Sequence, residues 1–228
     1  MTLRTETSCG RIGLVAAVAV LGVSSFALGA ETVSPKPGIA KAAAAGTISQ
    51  GAASSEIVMY AMDLPKGSLS EFDAWKDAAA PGGKMVGIQN HGDFLDPPPE
   101  DDPHVTFNLP VRGGVPYRCW IHMKVGTVKG KSQANLIYAQ FTGAVDEANR
   151  EILRPRSGSF VTLRGPSQEG WAWVGGDGTK AAPPIKFRSG GEVTVRLQGG
   201  MEGVGFDQFV LSSGRFLANP PKEAIVKK

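Results

Sequence analysis

The chain has 228 residues, enough to bury one sizeable core and still carry extensions. Its formal net charge is only +3, and the basic residues form no stripe with interleaved aromatics, which argues against nucleic acid as a partner. Thirty glycines and 16 prolines favour many turns over long helices.

The first segment reads as an export signal. Arg4 and Arg11 precede an apolar run from Ile12 to about Leu21, and small residues follow to Ala27-Leu28-Gly29-Ala30. Residues 1–30 are therefore expected to be cleaved after Gly29 or Ala30, leaving a periplasmic, cell-surface or secreted protein. The alternative is an uncleaved anchor, since Ile12 to Ala30 is a run of 19 uncharged residues. It would be the only membrane contact expected, because no second run reaches spanning length. Cys9 precedes the run and so cannot be a lipid-attachment cysteine that follows one. After cleavage Cys119 stands alone, no internal disulfide forms, and stability must come from packing. Its strand setting between Arg118 and Trp120 reads as a small buried hydrophobe.

Residues 31–54 are small, contain prolines and lack a periodic apolar face. They read as a flexible linker, a disordered extension ahead of a domain spanning 55–218. Within that domain, residues 57–62 form a strand candidate. Residues 68–80 suggest a short helix, with Ser68 or Ser70 as cap, acids in the first turn and Pro81-Gly82-Gly83 as its stop. The proline-rich, acidic stretch 89–103 reads as loop. Residues 104–109 alternate cleanly.

The strongest strand is 117–125. Period two places Tyr117, Cys119, Ile121, Met123 and Val125 toward a core, and Arg118, Trp120, His122 and Lys124 on the opposite face. In the next strand, 135–143, Ile137, Ala139 and Phe141 point inward while Tyr138 and Gln140 point outward. Strands follow at 159–163, 171–174 and 185–187, then a hairpin from 191 to the Gly199-Gly200 turn. The closing strand, 203–213, carries Asp207 and is expected to tie the end of the domain to its beginning. The tail, 219–228, is charged and expected to fray. Eight or more short strands separated by turns, with little helix, predict an all-β, antiparallel sandwich.

Five segments in order carry a resemblance: GVPYRCWIHMKVG, QANLIYAQFTGAVD, GWAWVGGDG, PPIKF followed by GGEVTVRLQ, and GVGFDQFVLSS. Together they resemble carbohydrate-binding-like modules of the galactose-binding-like jelly-roll superfamily, of the secreted bacterial type. The resemblance spans roughly Glu56 to Ser213 and implies a jelly-roll sandwich that binds a polysaccharide or glycan. Asn135 stands where the pattern usually has aspartate, Cys119 replaces leucine, and RGPSQEG is shorter than the insert often found there. In the wider superfamily an acid ending the first strand and one on the closing strand often hold a structural calcium. The resemblance thus makes Asp63 and Asp207 candidate Ca²⁺ ligands, the only cofactor it implies. The alternative for Asp207 is a hydrogen-bonding role that holds the hairpin.

Catalysis finds little support. The histidines His91, His104 and His122 have no Gly-x-Ser-x-Gly elbow beside them, and no His or Cys pair stands at zinc-ligand spacing. Sugar binding instead needs flat aromatic faces together with amides, carboxylates or guanidinium groups. Two sets could supply these. One is Trp171 and Trp173, which alternation points to one side, either at a ligand or into the core. The other is Arg118, Trp120, His122, Tyr138 and Gln140, which share a face if 117–125 and 135–143 pair. The expected function is non-catalytic carbohydrate binding. The competing expectation is a structural or interaction subunit of a cell-envelope assembly, with envelope proteins as partners.

Overall fold

The computed structural model describes residues 55–70, 72–89, 98–128, 132–178 and 180–225. The signal, the linker, Cys9 and His91 lie outside the described residues, as does part of the 89–103 loop.

Sixteen strands occur among the described residues. The first four are β1 (Glu56–Tyr60), β2 (Leu69–Ser70), β3 (Asp73–Lys76) and β4 (Lys84–Gly87). They lead into the long strands β5 (His104–Val111) and β6 (Pro116–Val128), then β7 (Ser132–Ala134) and β8 (Leu136–Phe141). Next come β9 (Ala144–Val145), β10 (Val161–Arg164), β11 (Gly170–Val174) and β12 (Gly176–Asp177). The series ends with β13 (Lys180–Ala181), β14 (Ile185–Phe187), β15 (Gly191–Gly199) and β16 (Gly205–Ser212). They form an all-β sandwich. One sheet runs β3-β4-β16-β6-β14-β9, with β1 on β16 and with β7 and β11 on β6; the other runs β13-β12-β10-β8-β15-β5-β2. Pairing is antiparallel except for a single parallel contact, Arg164 opposite Asp177.

The alternation in β6 predicts the core correctly. Tyr117, Cys119, Ile121, Met123 and Val125 are each no more than 1% exposed, and Ile137, Ala139 and Phe141 of β8 are fully buried. Phe209 of β16 meets Phe107 of β5 at 5.6 Å and Phe141 at 6.2 Å between ring centroids, so the two inner faces interlock. Each such phenylalanine contributes roughly 1.5–3 kcal/mol of transfer free energy. The closing strand also behaves as expected. It lies along β6 on one side, and on the other along β4 and then β1, where Glu56 faces Ser212 and Tyr60 faces Gln208.

Three expectations are corrected. The helix over 68–80 is absent: β2 pairs with β5, and β3 forms a hairpin with β4 in which Asp73 faces Gly87 and Trp75 faces Met85. Pairing at the sheet edges outweighs the modest helical propensity of a short segment. The strands β6 and β8 do not pair. The chain changes sheets at Asn135, whose backbone oxygen accepts from Gly165 N at 2.7 Å and whose Nδ2 donates to Gly165 O at 3.0 Å. The tail does not fray between 220 and 225: Pro221 is buried, and Gln208 holds Ile225 by two hydrogen bonds.

Candidate functional site

The site lies on the outer face of the first sheet and is assembled from four segments. Because β6 alternates, Arg118, Trp120, His122 and Lys124 project away from the core in a row. Antiparallel pairing sets Trp171 of β11 opposite Lys124 and Trp173 opposite His122. Both tryptophans are half-buried on this outer face, while Val174 reaches the core. Of the two readings of the GWAWV segment, the geometry gives the outward one.

Asp207 joins them through an irregularity in β16. Phe206 faces Met123 and Gln208 faces His122, so Asp207 is the extra residue between two consecutive partners of β6. A bulge of this kind re-aims a side chain that strict alternation would place elsewhere. His122 Nδ1 donates to Asp207 Oδ1 at 2.7 Å, with the His122 and Asp207 side chains only 10% and 3% exposed. The imidazole stacks on Trp171 at 4.8 Å with 16° between planes, and also meets Trp173 at 4.9 Å and 36°. A carboxylate fixes the histidine, and the histidine props two indoles. Trp171 Nε1 and Asp207 Oδ2 are buried without a hydrogen-bond partner among the described residues, leaving one donor and one acceptor in the same cluster.

Lys124 extends the cluster. Its Nζ lies 6.0 Å from the Trp171 ring centroid and forms an ion pair with Asp77, in the β3–β4 turn. The Lys124 hydrogen bond is the main reason the Asp77 carboxyl sits below the usual carboxylate range; burial opposes it, and the Ala79 amide adds to it. Beside Trp173 opens a groove of ≈ 340 Å³, bordered by Trp120, Arg164, Lys180 and Gly175. Arg164 Nε is held by Asp177 Oδ1 at 3.1 Å. The edge of the Trp120 indole packs so close to Gly175 that a β-carbon there would lie 2.3 Å from the ring.

Five of the seven sequence-selected ligand residues therefore come together: Arg118, Trp120, His122, Trp171 and Trp173. Tyr138 and Gln140 do not join them, because β8 belongs to the other sheet. Both are buried, at 3% and 1% exposure. Tyr138 packs on Phe160, and Gln140 bonds Ser159 O, Arg156 N and Arg196 Nη1, so both serve the packing of that sheet's outer face. Asp63 is exposed in the 3-10 turn Ala61–Asp63, while Asp207 faces His122. Among the described residues no group of three or more His, Cys, Asp or Glu gathers in a way that could hold a metal ion. Sequence reasoning passed over Lys124 as a member of the cluster and gave no sign that residues 214–225 would cover part of this face.

No protein-family model matches the chain, and no curated protein matches it in sequence. Some solved structures resemble it in part. A GH26-CBM35 β-(1,4)-mannanase from Podospora anserina aligns with a TM-score of 0.44 at 11% identity, over 75% of this chain and 28% of that one. An exo-β-1,3-galactanase from Phanerochaete chrysosporium aligns with a TM-score of 0.42 at 15% identity, over 69% of this chain and 29% of the other. The protein thus spans less than a third of the length of each.

Proposed function

We propose that this is an exported, non-catalytic carbohydrate-binding protein whose platform is Trp171 and Trp173. The observation that carries the proposal is that two indoles from one strand lie half-exposed on one sheet face, backed by the buried His122–Asp207 pair. Rigid aromatic faces pack against the C–H side of a pyranose at little entropic cost. Arg164 and Lys180, beside Trp173, supply donors for hydroxyl groups. Pre-organisation is what the proposal relies on: an indole already stacked on imidazole loses little freedom when a sugar docks.

The test is calorimetric titration of the full chain with a panel of soluble polysaccharides, repeated with Trp173→Ala. Binding that weakens tenfold or more in the variant, about 1.4 kcal/mol, supports the platform. Failure of every glycan to bind the folded protein overturns it.

A further inference from the structure

Residues 214–225 run from the end of β16 back across the outer face of its sheet, held largely through their backbone. Trp120 Nε1 donates to Phe216 O at 2.7 Å and Arg118 Nε to Leu217 O at 3.2 Å. Further along, Trp173 Nε1 donates to Glu223 O at 3.2 Å. Gln208, fully buried, grips the last described residue from both sides: its Nε2 donates to Ile225 O at 2.8 Å and its Oε1 accepts from Ile225 N at 2.9 Å. Between these anchors lie Pro220 and Pro221, the second of them buried.

The chemistry of the two sides matches. Indole and guanidinium nitrogens are donors only, and they meet the carbonyls of Phe216, Leu217 and Glu223. Side-chain acceptors meet N–H groups: Gln208 Oε1 takes Ile225 N, Ser212 Oγ takes Phe216 N and Glu56 Oε1 takes Arg215 N. Gln208 thus treats Ile225 as a residue facing it on a neighbouring strand would, satisfying its N–H and its carbonyl together. The two prolines also lower the entropic cost of ordering the segment, as in other recognition of proline-rich peptides. Contacts of this kind read a peptide backbone, whichever molecule it belongs to.

We propose that this face is a peptide-binding surface whose partner is the 214–225 segment of a second copy of the chain, and that the segment seen here is the same ligand bound in cis. The second copy is the occupant because it carries the one segment known from the geometry to fit. Exchange hinges at Gly214, which is exposed and lies two residues beyond the end of β16. The cis arrangement dominates in dilute solution, since a tethered ligand has an effective concentration in the millimolar range. The trans arrangement appears once one copy's segment is released and another copy's surface is vacant. Trp173 belongs to both this surface and the glycan platform, but the test involves no sugar, so either proposal can fail without the other.

Two full-length variants separate the roles. Pro221→Asp puts a charge where the segment is buried, giving a copy with an intact surface and a defective segment. Gln208→Ala with Trp173→Phe gives a copy with a defective surface and an intact segment. Sedimentation velocity of each alone should show monomer, and the equimolar mixture should show a heterodimer at tens of micromolar. A mixture of folded variants that stays monomeric at several hundred micromolar overturns the proposal. Hydrogen exchange on the unaltered protein gives a second reading should either variant fail to fold. The Ile225 amide should exchange by local opening at least a hundredfold faster than amides in the centre of β6; exchange of both only by global unfolding makes the segment part of the fold and also overturns it.

Discussion

His122 Nδ1 lies 2.7 Å from Asp207 Oδ1, and the bond exists because β16 carries one residue more than β6 can pair. Without that extra residue, strand alternation would not bring the carboxylate to the histidine. The bond crosses 85 residues of sequence and fixes the ring that both half-buried indoles touch.

Asp207→Ala should therefore act on stability first. Removing one partner leaves a buried histidine uncompensated, and the expected cost is about 2–4 kcal/mol. A double-mutant cycle with His122→Ala, read by chemical denaturation, should return a coupling of about 1.5–3 kcal/mol. An unchanged midpoint with lost glycan binding would assign Asp207 to the ligand instead.

Chelation tests the calcium expectation. Asp207 already accepts from His122, and no metal-holding cluster appears among the described residues. The melting midpoint should accordingly be the same in EDTA and in millimolar Ca²⁺. A rise with calcium would restore Asp63 and Asp207 as ligands, because an ion that binds only the folded state must raise the midpoint.

Cys119 should be silent to thiol reagents in the folded protein, being 1% exposed. Burial pushes its thiol up from 9.0 to about 12. The sign follows from proton counting: above the unfolded value the unfolded chain releases this proton while the folded chain keeps it. Stability then falls as pH rises across that window, by up to about 1.4 kcal/mol per unit from this group. Cys119→Ala should flatten that alkaline limb in melts taken at successive pH values.

Gly175→Ala should unseat Trp120. The added methyl would lie 2.3 Å from the indole, and the ring cannot shift without losing its bond to Phe216 O. Overpacking of this kind costs about 1–3 kcal/mol. Limited trypsin digestion should show faster cleavage at Arg215 and Lys222, with Leu217→Ala as a control that leaves Gly175 in place.

The fold was legible where one periodicity dominated. The alternation in β6 placed Tyr117, Ile121 and Met123 inside and Trp120 and His122 outside, and the closing strand announced its long-range role. Adjacency in sequence misled at Tyr138 and Gln140. Two strong strands separated by a short turn look like a hairpin, and nothing local marks Asn135 as the point where the chain changes sheets. The 68–80 segment misled for a related reason, since Ser caps and early acids describe an isolated helix while β4 and β5 decide the pairing. The bulge at Asp207 has no local signature at all. Its evidence is the count of residues on the facing strand, a property of the pair. The charges of 219–228 suggest fraying, yet Pro221 is buried and the Glu223 carbonyl is held by Trp173.

The pairing of β1 with β16 also has a mechanical side. Ser213 N donates to Ser55 O at 2.8 Å, and the next pair inward is Glu56 with Ser212. The chain therefore enters and leaves this strand pair at the same end. A load applied between residue 55 and the C-terminus would first peel away 214–225, then open the ladder one rung at a time, as a zip and not as a shear. Such a geometry yields at low force and in steps, so a pulling experiment should record a small early release before the core gives way.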